Sequence, residues 1–459
     1  MRAWLGLWLG VGLVVMPRPA MAKESWTLDY SSPGQDNAIY SLSAIDGMHA
    51  WAIGVDGGGG NSQAVGLRTS DGHAWSQMAL PSVSAGQMEF VIFLRVAFAD
   101  DQNGWIAGSK VSMTGEEPFL WKTTDGGSSW TQVFQSSKSL ADLQALPSGQ
   151  VFGVGEGIVV LSPDGDQYQE VTPQLPDGMS LQSISMLNPN CGAAVATTAA
   201  DSGTDKTAIL WTDDGGLSWK VRADSLPVRG DGLWFVNGNL GWLAAEKDGA
   251  GVVAWTDDGG ATWTDVSVPD HSAVMGNDPV PVTSCNDVRF FDDKRGVALC
   301  LCCTAECDGG ENSHPSYLTA LFWTDDSGRT WTMDPDYEPV MKADPFGDMV
   351  KYSGMVTMAF PSPNRGFMAG QNNLVLGYEA DQPEADGWAS FPCDNGNQNN
   401  NANQNTNQND NANGNTNGSG NGSGEDLAGC GCRHTGSGGA WWLVFVFGLA
   451  IWIRRFARV

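Results

Sequence analysis

The chain is predicted to be all-β, a propeller of seven four-stranded blades followed by a disordered linker and a C-terminal hydrophobic helix. Three observations carry that prediction. A Trp-rich turn phrase recurs at intervals of tens of residues, and a second phrase of alternating apolar residues precedes each copy. The composition suits strands and turns, with 20 Trp and 59 Gly but only 17% charged residues in a chain of 459.

The turn phrase is clearest in "TTDGGSSW" (123–130), "TDDGGLSW" (212–219), "TDDGGATW" (256–263) and "TDDSGRTW" (324–331), all of the form S/T-x-D-x-G-x-x-W. "TSDGHAW" (69–75) and "SPDGDQY" (162–168) have one residue fewer between Asp and the aromatic, and "YEADQPEADGW" (378–388) is nearly erased. The second phrase is an apolar alternating run, a polar turn, then Gly and an apolar residue. It is clear in "VAFADDQNGWIAG" (96–108), "LWFVNGNLGWLAA" (233–245), "VRFFDDKRGVALC" (288–300) and "MAFPSPNRGFMAG" (358–370). Looser copies are "SLSAIDGMHAWAIG", "LQALPSGQVFGVG" and "ISMLNPNCGAAVA". Seven units result, each reading strand, tight turn, strand, loop, strand, Asp turn, strand. Period-two alternation broken by Asp, Asn and Gly is what antiparallel hairpins require.

The physics of the Asp turn assigns it a structural role. The carboxylates of Asp125, Asp214, Asp258 and Asp326, and of Asp71 and Asp164 in the shorter copies, are placed to accept N–H groups of their own turns. Gly supplies the positive φ that other residues resist. Trp130, Trp219, Trp263 and Trp331 are expected to fold back under the turn and bury apolar surface between blades. The pairs Asp213-Asp214 and Asp257-Asp258 lack the spread of oxygen ligands that a calcium loop needs, so no metal or cofactor is expected.

Closing the ring needs a further device. "SWTLDYSSP" (25–33) resembles "SWTQVFQSS" (129–137), the strand after an intact Asp turn, and is expected to supply the outer strand of the last blade. "GWASFP" (387–392) competes for that place.

These phrases resemble the Asp-box, or BNR, repeat of sialidase-type propellers. Taken together, the two phrases are most similar to the photosystem II assembly factor propellers of bacteria and chloroplasts, a non-enzymatic group. The resemblance covers roughly residues 25–392 and implies a protein-binding role, although an acidic chain departs from the basic recognition surface of those factors.

The ends of the chain point to export. Residues 1–22 read as a signal peptide, with Arg2 before an apolar run and cleavage between Ala22 and Lys23. The propeller is assigned to 23–392 and an Asn/Gly-rich spacer to 393–428, which has too few apolar residues to form a core. Residues 429–459 carry Cys430 and Cys432, an apolar run of about 14 residues and terminal arginines. This tail resembles the myxobacterial C-terminal sorting domain (MYXO-CTERM), which implies processing near the cysteines and display on the cell surface or outer membrane; the alternative is a permanent anchor with a local disulfide. Membrane contact is expected through this tail alone. The net charge of −28 excludes an electrostatic footprint for nucleic acid and disfavours anionic membrane surfaces.

Function is sought on the face opposite the Asp turns, where blade six is elaborated by residues 269–284, 302–317 and 334–354. His271, Asp308, His314, Tyr317, Tyr337 and Glu338 are its candidate binding residues. Smaller candidates are 109–119 and 197–208. Cys285, Cys300, Cys302, Cys303 and Cys307 gather in the same blade. Folding the hairpin about Asp293-Lys294 puts Cys285 opposite Cys302, and Cys303 could close a small loop to Cys307. Disulfides suit an exported chain; zinc bound by these thiols and His314 is the alternative. A sialidase-like glycoside hydrolase would need an arginine cluster and a Tyr nucleophile, and the Arg-Ile-Pro motif common in that family is missing, with Arg68 and Arg95 lying in strand-like runs. The reading is a monomeric, surface-displayed, non-catalytic module for an envelope or extracellular protein or glycan, with a glycoside hydrolase or a purely structural envelope protein as alternatives.

Overall fold

The computed structural model describes residues 25–380 except 33–36, 57–62, 84–88, 199–204, 272–279, 304–316, 335–336, 338–340, 344–348 and 352–353. Its strands form seven four-stranded antiparallel sheets and one two-stranded ribbon, Met341–Ala343 with Met349–Lys351. In chain order the blades occupy 38–77, 90–134, 140–171, 179–226, 229–267, 282–333 and 355–379. Within each the strands pair in sequence order, so the first strand lines the channel and the last lies outermost. Blade 7 is the exception in origin: its outer strand is Ser25–Tyr30, paired antiparallel to Val375–Glu379, with Trp26 opposite Tyr378. The remnant at 378–388 and the competing segment 387–392 lie largely outside the described residues.

The seam at blade 7 is locked by side chains as well as by the ladder. The Trp26 and Trp323 indoles both donate to Asp334 Oδ2, at 3.2 and 2.9 Å, and Asp334 is buried. Trp26 packs on Tyr337, Phe360 and Tyr378 with ring centroids 5.0–6.2 Å apart. N-terminus, blade 6 and blade 7 thereby share one cluster.

Between the other blades the core is built from large rings. Trp242 of blade 5 stacks on Phe290 of blade 6 at 3.4 Å, and Trp51 of blade 1 on Phe98 of blade 2 at 3.7 Å. Their indoles donate to the next Asp turn, at the carbonyls of Ser327 and Gly126 respectively. The glycine of the second phrase is needed here: Gly104 sits cross-strand from Phe98, and a Cβ would lie 2.5 Å from the ring.

At one end of the ring the two turns of blades 1, 2, 4, 5 and 6 are stitched together. A short polar side chain caps the first turn: Asp100 Oδ1 accepts the N–H groups of Gln102 and Asn103 at 2.8 and 2.6 Å, and Asp46, Asn188, Asn237 and Asp292 repeat the pattern. The Asp turn then docks against it, Gly126 N–H donating to Gln102 O at 2.9 Å. The intact Asp turn closes on itself. Thr123 donates to Asp125 Oδ1 and accepts from Gly127 N–H; Asp125 Oδ1 accepts Ser128 and Ser129 N–H, and its Oδ2 accepts the Ser129 hydroxyl at 2.6 Å. In blade 6 Ser327 takes the positive φ, 67°, held by Gly126 in blade 2. Trp130, Trp219 and Trp263 are half-buried, and only Trp331 is buried.

The cysteine pairing expected from the hairpin is corrected. Cys285 is bonded to Cys300, and Cys302 is a free, buried thiol pushed up to about 12 by burial and by the Asp270 charge. A regular ladder about Asp293-Lys294 would oppose Cys285 to Cys302. Instead the ladder starts from Phe290 opposite Gly296, one residue off that count, and the bulge between Cys285 and Asp287 consumes one more residue on one side only, so Cys285 faces Cys300. Cys191 is also disulfide-bonded. Cys307, Cys430 and Cys432 lie outside the described residues.

Candidate functional site

Antiparallel four-stranded blades put the first and third turns at one end of the ring and everything else at the other. The second-to-third-strand loops and the blade connections therefore share the face opposite the Asp turns. Strands ending at Ser267, Cys303 and Met333, and those starting at Val282, Tyr317 and Met355, put the ends of the three blade-six segments there. Blade 2 adds a hairpin on the same side. Its strands Gly104–Ser112 and Gly115–Thr123 have nine residues each, against five in Val151–Gly155 of blade 3. At ~3.3 Å per residue the tip stands roughly 13 Å higher. Met113 at that tip is 71% exposed, and Lys110 and Glu117 pair across the hairpin at 2.9 Å.

Of the residues singled out on this face, His271 and Tyr337 are buried rather than presented to solvent. His271 forms a bridge with Val280, and Tyr337 packs against Trp26. Tyr317 starts a strand of blade 6. Asp308, His314 and Glu338 lie outside the described residues, as do Ala22 and Lys23.

A second feature, unread in the sequence, lies in the channel. Each of the seven first strands carries a bulge at nearly the same height: after Ile39, Phe93, Leu140, Leu181, Gly230, Cys285 and Met355. A bulge turns one side chain away from the regular alternation. The residues just beyond it, Ser41, Arg95, Asp142, Ser183, Asp287 and Thr357, together with Gly232 inside the longer irregularity of blade 5, form a largely polar ring around a cavity of about 180 Å³. Tyr40, Asp231 and Arg289 complete its polar lining.

Part of this ring joins the blades. The inner edge of a first strand has N–H groups with no further strand to pair with, and the preceding blade supplies acceptors. Ser41 accepts Val96 N–H at 3.1 Å, Asp142 Oδ2 accepts Ile184 N–H and the Ser183 hydroxyl at 3.0 Å each, and Ser185 accepts Phe235 N–H at 3.0 Å. Gln144 makes the same link twice, to the N–H and carbonyl of Met186.

The charged members are of both signs. Arg289 bonds Asp287 at 3.1 Å and lies over Trp234 at 4.8 Å. Arg95 donates from Nη1 to the Leu94 carbonyl at 2.9 Å. Burial pushes the Asp287 carboxyl up to about 6, with the Asp142 charge adding to it and Arg289, Arg95 and the Val288 N–H opposing. Burial also lowers the Arg95 pKa against the pull of Asp142, Tyr40 and Asp287. The Tyr40 hydroxyl donates to Phe93 O at 2.6 Å and is raised by burial, so it stays neutral. The sequence did carry a signal for the ring, a polar residue before the apolar one in six of the seven first strands, as in "RVAF", "DLQAL" and "DVRFF".

The fold and channel define a seven-bladed β-propeller with a polar, partly charged bore. No protein-family profile matches the chain, and no curated protein does. Solved structures of the same fold do. YCF48 bound to a D1 peptide is 20% identical, covers 78% of this chain and 97% of its own, and superposes with a TM-score of 0.52. The GH74 xyloglucanase of Xanthomonas campestris is 13% identical with a TM-score of 0.54; 77% of this chain aligns, spanning about half (53%) of the enzyme. The microbial sialidase Hz136 is 12% identical, with 66% of this chain and 67% of its own covered and a TM-score of 0.41. For the first two, at these identities, the likeness is one of fold.

Proposed function

We propose that the chain is an exported, surface-displayed propeller that binds an envelope or extracellular protein or glycan and catalyses nothing. The observation that carries this reading is the asymmetry of the two ends. At the Asp-turn end the carboxylates are spent on their own turns. The opposite end holds the tall blade-two hairpin, the channel mouth and the points where the three long blade-six segments leave and rejoin their strands. Elaboration confined to one end of a rigid ring suits a docking face. The signal peptide, the Asn-rich spacer and the sorting tail belong to the same proposal: they would hold that face away from the cell. In keeping with it, one solved structure of this fold, YCF48, carries a bound peptide.

The hydrolase alternative asks for an activated Tyr and a free acid in the bore. Tyr40 is committed to a backbone carbonyl, and Asp142 and Asp287 accept hydrogen bonds that join blades or hold Arg289.

The test compares the full-length protein with a variant whose residues 304–316 are replaced by a short Gly-Ser turn, which spares both flanking strands. Both are checked for equal thermal unfolding and used for cross-linking capture from envelope extract. A partner held by the intact protein alone supports the reading. Equal capture by both, or turnover of sialoside or xyloglucan substrates, overturns it.

A further inference from the structure

We propose that the channel is a binding site for a small carboxylate, with the Arg95 guanidinium as the group that receives it. The proposal rests on the binding-module reading and names the chemistry of one ligand for it. Arg95 stands on the bulge of blade 2, where its side chain faces the cavity instead of the blade interior. Its partners are few: one hydrogen bond to the Leu94 carbonyl, and no ion pair among the described residues. Arg289, on the opposite side of the ring, is held by Asp287 and by the Trp234 ring. A guanidinium has five N–H donors in a planar fork that matches a carboxylate edge-on. Arg95 lines the cavity, and its one hydrogen bond, to the Leu94 carbonyl, commits a single donor of the five. Leu42, Val96 and Met358 on the walls would receive the apolar body of such a ligand, and a cavity of about 180 Å³ suits a body of a few carbons.

The neighbours of Arg95 make this site dependent on acidity. Asp142 comes from blade 3, Asp231 from blade 5, Asp287 and Arg289 from blade 6, and Tyr40 from blade 1 remains a neutral phenol. Two arginines thus face three carboxylates, one net negative charge that opposes an incoming anion. Asp287 takes up a proton as the pH falls through about 6, its charge being destabilised by burial and by Asp142. Below that pH the opposing charge is gone. A carboxylate is therefore bound more tightly in mild acid, by on the order of tenfold for one unit charge removed from a poorly screened cavity.

The experiment is calorimetric titration of the full-length protein with glutarate and with glucuronate, a flexible acid and a sugar acid, at roughly pH 5 and pH 7.5 on either side of the transition. Saturable binding of either, tighter in acid, is expected. Preference between the two tells an acidic side-chain mimic from an acidic sugar. Arg95→Gln should abolish binding at both pH values with thermal unfolding unchanged. Asp287→Asn should bind at the acid-form affinity at both, with the pH dependence flattened. No binding by the unaltered protein, equal binding by the Arg95 variant, or a pH dependence that survives in Asp287→Asn each overturns the proposal. If the Arg95 variant does not fold, the Asp287 comparison alone decides. Partner capture through blade six is independent of these readouts, so failure here and failure of the binding-module reading are told apart.

Discussion

The two ends of the ring solve the same chain-reversal problem in opposite ways. At the Asp-turn end each carboxylate is consumed locally: Asp125, Asp214, Asp258 and Asp326 all take a Thr hydroxyl, a backbone N–H four residues on and a side-chain hydroxyl. In the channel, acids and serines reach out of their own blade, as Asp142 does to Ser183 and Ile184. Local satisfaction can be copied from blade to blade unchanged. Satisfaction across a seam depends on what the neighbour presents, so the channel diversifies, and chemistry becomes available there.

The comparison can be broken at the seams first. Trp242 has no solvent exposure, stacks on Phe290 and donates to Ser327 O, so Trp242→Ala removes a blade-to-blade contact that no local bond replaces. A loss of about 3–5 kcal/mol is expected in urea unfolding. Next is the Cys285–Cys300 bond, which closes a separation of 15 residues. Replacing both cysteines by Ala should cost about 3 kcal/mol. Reductant should then leave the thermal midpoint of that variant unmoved by this bond.

The Asp turns give smaller, graded effects. Asp125→Ala should cost about 1–3 kcal/mol by equilibrium denaturation. Asp71→Ala should cost less, because its shorter turn offers the carboxylate two N–H groups and a Thr hydroxyl, but no side-chain hydroxyl on Oδ2. Equal losses at the two sites would show that the extra residue of the intact turn adds nothing.

The smallest effect is in acid. The Ser129 hydroxyl, then its N–H and the Thr123 hydroxyl, hold the Asp125 carboxyl down at about 2. A depressed folded-state pKa contributes stability above the unfolded value of about 3.8, and this is lost as pH falls towards 2. Asp125 is open to solvent, so the effect is screened and small. Asp125→Asn should flatten the acid limb of the stability profile between about pH 4 and pH 2 while lowering the plateau; an unchanged limb would show that the turn is not ionisation-dependent.

Much of this architecture is legible in the chain because its causes are local. The Asp, Gly and Trp of each turn act within eight residues, so "TDDGGLSW" reports its own hydrogen bonds. The likeness of "SWTLDY" to "SWTQVF" anticipates a strand that pairs at the far end of the chain with Val375–Glu379, because both place the same residues on an outer edge. Cys285 shows where such reading stops. Counting from the turn assumes a symmetric turn and an unbroken ladder; the turn pairs Phe290 with Gly296, one residue off that count, and the bulge between Cys285 and Asp287 adds a second, so the partner is Cys300 and not Cys302. His271 and Tyr337 read as polar loop residues in the sequence, yet both are buried in the fold.

What the sequence determined by itself is the repeat, the number of blades and the turn that closes each one, since period-two alternation and a self-bonding Asp turn depend on neighbours a few residues away. What only the tertiary structure decided is the register inside the first strands and, through it, the channel. Seven bulges in seven separate strands form a ring only once the blades meet around an axis. Arg95, Asp142 and Asp287 come from blades 2, 3 and 6, and no spacing along the chain links them. The desolvation of Arg95 and Asp287 and the charge that Asp142 brings to both are properties of the closed ring.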